Sequence, residues 1–171
     1  EVKEYHIHIL VDRSRSMVEP YPRKRVVALR LGVALAYLGL MNEHRVSILS
    51  LCDDVRREMP PLKGQGHIHA ILEQMAGMQF DGVTNLMHSL SRFRPGRDRR
   101  GIVFLISDLF GRDPEESELA VHQAISWPAE THVIHVLHPH EVQPDLEGEI
   151  RLVDVETEEA RRMRLDRREL A

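Results

Sequence analysis

The sequence has one cysteine, three lysines and only 5% aromatic residues in 171 positions, and no apolar stretch approaches the roughly 20 residues that span a bilayer. The single Cys52 excludes an intrachain disulfide framework and any Cys-Xaa-Xaa-Cys metal or redox motif, so a reducing compartment is the simplest setting. No Gly-Xaa-Xaa-Xaa-Xaa-Gly-Lys, Gly-Xaa-Gly-Xaa-Xaa-Gly or Gly-Xaa-Ser-Xaa-Gly pattern occurs, which removes the usual mechanical parts of nucleotide binding and serine hydrolysis. The chain opens Glu1-Val2-Lys3-Glu4, without a starting Met, a basic leader or a signal-type apolar region, and reads as a piece of a longer protein. The expected location is cytoplasmic, or membrane-associated through segments outside these residues. Charge of one sign is also lacking: 23 Lys+Arg against 27 Asp+Glu leave a net charge of -4, which speaks against a dedicated nucleic-acid binder.

What is present is an ordinary globular composition, 42% apolar, in a chain long enough to bury roughly 70% of its surface around one core. One domain over residues 1–157 is expected, followed by a charged tail over 158–171. Tyr5 to Val11 reads as a first strand, Arg23 to Met41 as a long helix with apolar residues at Val26, Val27, Leu31, Ala34, Leu35 and Leu38, and Arg45 to Cys52 as a second strand. Asp53-Asp54 is turn chemistry leading into an antiparallel edge strand, Val55 to Leu62, confined to the edge by Pro60 and Pro61. Helices follow at about Ile68 to Met78 and up to Phe93, the second capped from the loop Asp81-Gly82-Val83-Thr84-Asn85. Gly101 to Ser107 is a near-continuous apolar run of the kind found in the middle of a parallel sheet. Pro114 to Trp127 reads as a helix, Thr131 to Leu137 and Gly148 to Val155 as strands, and Arg161-Arg162-Met163-Arg164 as an exposed helix or frayed end. Strands alternating with helices imply an α/β fold, an open, Rossmann-like, mostly parallel sheet with one antiparallel edge strand and helices on both faces. Ligands of such sheets bind outside the carboxyl ends of the strands, where the strand order reverses.

Three loops at those ends carry oxygen-bearing side chains: Asp12, Ser14 and Ser16 after the first strand, Thr84 before a helix, and Asp108 after the central apolar strand. Two carboxylates and three hydroxyls, without Cys or His, suit a small hard divalent cation such as Mg²⁺ or Mn²⁺ rather than zinc or copper. The spacing of Asp12, Ser14 and Ser16 lets an extended loop present all three to one side.

This pattern, Asp-Xaa-Ser-Xaa-Ser, then a Thr in a Gly-Xaa-Thr-Asn setting, then Ser-Asp after an apolar strand, resembles the metal-ion-dependent adhesion site of von Willebrand factor A domains. The order of elements agrees over nearly the whole chain. The ending His138-Pro139-His140-Glu141 through Leu152-Val153-Asp154-Val155-Glu156-Thr157 resembles the bacterial domain-of-unknown-function family fifty-eight, which is associated with MoxR-type AAA+ ATPases. The resemblance implies that Asp12, Ser14, Ser16, Thr84 and Asp108 hold Mg²⁺, with Mn²⁺ or Ca²⁺ as substitutes. It also implies that an Asp or Glu of a partner protein completes the coordination, and that the domain binds rather than catalyses. Many relatives have Gly after the second Asp, whereas here Leu109-Phe110-Gly111 follow. Arg13 and Arg15 either line the rim with positive charge, favouring an acidic partner, or are solvated loop residues.

A competing chemistry is a metal-dependent phosphatase or phosphotransferase with Asp12 as nucleophile and Asp108 as metal ligand. Such an enzyme needs an acid or base and a cation to hold phosphate. Asp12-Arg13-Ser14 lacks a second acid two residues on, and Lys3, Lys24 and Lys63 all stand away from the three loops in sequence. The eleven histidines include His6-Xaa-His8 on one strand face, but no Cys or carboxylate at a matching spacing completes a tetrahedral zinc site. Cys52 has no local base and reads as buried, and Arg92, Arg94, Arg97, Arg99 and Arg100 read as a solvated face.

Overall fold

A computed structural model describes residues 4–83, 85–96, 101–111, 114–144, 148–153 and 160–165. In chain order the elements are β1 (His6–Asp12), a 3-10 turn (Arg15–Met17), α1 (Arg23–Met41), β2 (Arg45–Leu51), β3 (Val55–Arg57) and β4 (Leu62–Lys63). Then come α2 (Ile68–Ala76), α3 (Leu86–Arg92), β5 (Gly101–Ser107), α4 (Pro114–Ile125), β6 (Glu130–His135), α5 (Pro139–Val142), β7 (Gly148–Val153) and β8 (Ala160–Leu165). The main sheet has the order β3-β2-β1-β5-β6, with β4 also on β2. β1 is parallel to both β2 and β5, and β5 is parallel to β6.

Alternation along the central strands divides the core into two layers, as expected for strands covered on both faces. Ile7, Ile9 and Val11 of β1 and Val46 and Ile48 of β2 pack with Ala28, Ala36 and Leu40 of α1 and Ile71 and Met75 of α2. On the opposite face Leu10, Leu49, Val103 and Leu105 pack with Leu86 and Leu90 of α3 and Ala120 and Ala124 of α4.

The buried face of α1 is not the one its large apolar residues suggest. Lys24, Ala28, Gly32, Ala36, Gly39 and Leu40 face inward, whereas Val26, Val27 and Leu38 are exposed. Small residues win because the helix crosses the sheet at close range: a Cβ on Gly39 would lie 2.7 Å from Val46 Cγ2 and 2.9 Å from Ile7 Cδ1. The expected edge strand Val55 to Leu62 is instead two short segments, both antiparallel to β2. Pro60 and Pro61 lie between them and have no N–H to give to a ladder.

The arginine-rich segment expected as an exposed helix or frayed end is a strand. β8 pairs antiparallel with β7, Ile150 opposite Met163 and Gly148 opposite Leu165, so the expected boundary at 157/158 falls between two paired strands. The signal lay in the alternation of Met163 and Leu165 with arginines, which has a strand's period.

β1 also carries a buried histidine. His8 is stacked on His6 with ring centroids 3.9 Å apart and meets the Phe93 ring edge-on at 5.4 Å. Burial, with smaller contributions from His6 and Arg57, lowers its pKa to about 4. An unfolded chain takes up this proton near 6.5, so the stability His8 contributes is complete above about pH 6.5 and is lost as pH falls towards 4. His8→Leu, which keeps an apolar contact to Phe93, is expected to flatten the loss of stability between about pH 7 and pH 5. Urea midpoints at the two pH values check this, and a variant that loses as much as the parent would refute it.

Candidate metal centre

Asp12 is the last residue of β1, and Asp108 directly follows β5. Val11 pairs with Ile106 in the parallel ladder, so the two acids emerge at neighbouring carboxyl ends. The chain leaves β1 for β2 on one side while β5 lies on the other, which makes this the point where strand order reverses.

The loop after Asp12 folds back on the carboxylate. Asp12 Oδ1 accepts the Ser14 N–H at 2.9 Å, and Oδ2 accepts the Ser107 hydroxyl at 2.5 Å. Ser14 Oγ and Ser16 Oγ lie 2.9 Å apart, both buried. Asp108 Oδ1 accepts the Phe110 N–H at 3.1 Å, and its backbone carbonyl is 2.8 Å from His135 Nε2. Asp12 and Asp108 are 1% and 0% exposed. Burial, reinforced by the charge of Asp108, pushes the Asp12 carboxyl up to about 6, against the Ser107 and Ser14 hydrogen bonds that favour its ionised form.

The structure therefore brings Asp12, Ser14, Ser16 and Asp108 to one place. Thr84 lies outside the described residues, but its flanks are anchored at the same sheet edge. Ser14 and Gly82 form an isolated parallel bridge in which the Arg15 N–H donates to Gly82 O at 2.9 Å. The Asn85 N–H donates to Cys52 O at 3.1 Å. Asn85 is the N-cap of α3, its side chain accepting the His88 N–H.

Two expectations change. Arg13 is not a free rim residue: its Nη2 lies 3.6 Å from Cys52 Sγ. The reading that no lysine stands near the loops is also overturned, because Lys24 Nζ lies 2.9 Å from Asp108 Oδ2 and 2.6 Å from Glu141 Oε1. Sequence reasoning missed Lys24 because it counted distance along the chain. Its helical phase, four residues before Ala28, marks it as inward only once the buried face of α1 is known from the fold. Ser107, which donates to Asp12 and receives the Leu109 N–H at 2.8 Å, was read only as part of the Ser-Asp motif.

The donor chemistry fits a hard divalent cation. The two carboxylates and the paired hydroxyls of Ser14 and Ser16 are oxygen donors at one sheet edge.

With this arrangement in view, the structural relatives are informative. A von Willebrand factor type A protein from Catenulispora acidiphila superposes with a TM-score of 0.53 at 18% identity, over 77% of this chain and 33% of that one. The conserved hypothetical protein BatB from Bacteroides thetaiotaomicron gives 0.52 at 15% identity, over 96% of this chain and 77% of that one. An aerotolerance-related membrane protein from Bacteroides fragilis gives 0.52 at 14% identity, over 95% and 82%. The chain thus spans about a third of the first of these and most of the other two. The fold is of the von Willebrand factor A type. Residues 1–170 match the family described as protein of unknown function DUF58, and the chain belongs to that family. No curated protein sequence matches it.

Gly82 exchanges backbone hydrogen bonds with Arg13 and Arg15 of the first loop, and a Cβ on it would clash with Cys52 Cβ, just after β2. Gly82→Ala is expected to cost about 1–3 kcal/mol through overpacking. Urea denaturation checks the figure, and an unchanged midpoint would show that Gly82 is not packed tightly against Cys52.

Proposed function

We propose that this domain is a non-enzymatic, metal-dependent protein-interaction module. Asp12, Ser14, Ser16, Thr84 and Asp108 hold Mg²⁺, directly or through water, with Mn²⁺ or Ca²⁺ as substitutes, and an Asp or Glu of a protein partner completes the shell. The observation that carries this reading is the state of Asp12. It is a carboxylate 1% exposed, and among the described residues no lysine or arginine pairs with it. Buried charges are paired or coordinate metals, and this acid has only neutral donors. Phe110 and Val83, which flank the Asp108 and Thr84 loops in sequence, are exposed apolar residues that suit a docking rim.

The family resemblance points to a MoxR-type AAA+ ATPase as the partner, in an assembly or chaperone-like system. No helix among the described residues is long and apolar enough to cross a membrane. We place the domain in the cytoplasm, or at a membrane through other parts of the longer protein. Calorimetric titration of Mg²⁺ into the chelator-treated domain is expected to show saturable binding that Asp12→Ala abolishes. Equal heats from the two proteins would sink the reading.

One observation favours a second chemistry, hydrolysis or transfer of a phosphate group, because Lys24 supplies a cation beside the acids. Against it, that ammonium is already shared by two carboxylates. On the interaction reading, Mg²⁺-dependent turnover of p-nitrophenyl phosphate is absent. Turnover lost in Asp12→Asn would reverse the assignment.

A further inference from the structure

Lys24 is 2% exposed in the first turn of α1, at the head of an inward face otherwise made of small and apolar residues. Lysine is almost never buried to this degree unless paired, and here the helix phase leaves it no outward alternative. Its ammonium bridges Asp108 Oδ2 at 2.9 Å and Glu141 Oε1 at 2.6 Å and lies 5.1 Å from the centre of the Phe110 ring. Glu141 is itself held in place: its Oε2 accepts the His138 N–H at 2.7 Å in the capping box of α5. The Tyr21 ring, just before α1, stacks on His138 with centroids 3.8 Å apart, so the two segments that present Lys24 and Glu141 are packed together.

The two acceptors are not equivalent. Asp108 belongs to the candidate ligand set and Glu141 does not. An ammonium that shares two carboxylates can surrender one and stay paired, which a buried cation with a single partner cannot do at comparable cost. We propose that Lys24 is a built-in counter-cation of this centre. It is paired with both Asp108 and Glu141, and where Asp108 helped to hold a divalent ion, Glu141 would keep Lys24 paired. Lys24 thereby weakens ion binding and stabilises the empty site, so that the centre loads reversibly. This rests on the reading of the centre as a divalent-cation site.

A simple structural strut predicts the opposite sign, since losing it would misplace Asp108 and weaken the ion. Lys24→Met keeps the aliphatic stem and removes the charge, Lys24→Gln retains a hydrogen-bond donor should the Met variant fail to fold, and Glu141→Gln removes the negative charge that keeps Lys24 paired. On the counter-cation account, Mg²⁺ affinity by calorimetry rises roughly tenfold in the Lys24 variants and falls in Glu141→Gln. The thermal midpoint of the chelator-treated Lys24 variant drops and is recovered by excess Mg²⁺ more fully than the parent's is raised. Equal or weaker Mg²⁺ binding by the Lys24 variants, with the parent binding normally, would overturn the role of Lys24 while leaving the ion site intact. Binding by a Lys24 variant but not by the parent would overturn the proposal, because the natural centre would then not load at all. Binding by neither would end both.

Discussion

Two acids that emerge from adjacent parallel strands, both buried, impose the constraint around which this sheet edge is organised. Neither is exposed to solvent, and the charge of Asp108 adds to the burial that pushes the Asp12 carboxyl up. The surroundings respond unequally. Asp108 receives an ammonium as well as a backbone N–H. Asp12 receives a hydroxyl and a backbone N–H, both neutral, and these only partly offset the burial and the Asp108 charge that push its carboxyl up. That inequality separates the two acids: among the described residues Asp108 is paired with an ammonium, and Asp12 is hydrogen-bonded to neutral donors.

The acids stand there because β1 and β5 are covered on both faces. Helices pack against each side of the sheet, so the strands themselves must be apolar, and polar chemistry is displaced to the loops at their ends. Loops alone would be poorly positioned. Here they are joined to one another through backbone groups: Gly82 to the residues on either side of Ser14, and Asn85 to the carbonyl of Cys52, which also accepts the Ser89 hydroxyl. Cys52, buried as its sequence setting implies, serves as an anchor point and as the surface against which Gly82 packs.

Much of this was legible in the sequence where a single periodic signal dominated. α1 begins and ends at Arg23 and Met41 as its spacing predicts, and β5 occupies the whole apolar run from Gly101 to Ser107. Asp12, Ser14, Ser16 and Asp108 were legible as a group because the alternation of strands and helices places their loops at one edge. The inward face of α1 was not, because hydrophobicity marks Val26, Val27 and Leu38 whereas close approach selects Gly39 against β1 and β2 and Gly32 against Met75 of α2. Lys24 and Glu141 were illegible for a related reason. A charged residue on a helix or in a short turn reads as solvated, and only the tertiary fold brings a lysine near the start of the chain to acids far along it. Thr84, the remaining member of the expected set, lies outside the described residues.

The hydrogen bonds that assemble the centre connect residues 84, 95 and 117 positions apart: Lys24 with Asp108, Asp12 with Ser107, and Lys24 with Glu141. Closing loops of that length costs entropy that only a complete sheet can offset, and contacts of this kind form late. No fragment ending before Glu141 and no partly folded chain can present the arrangement. The arrangement therefore exists only once the whole sheet is in place, and it is a signature of the completed fold rather than of any one segment.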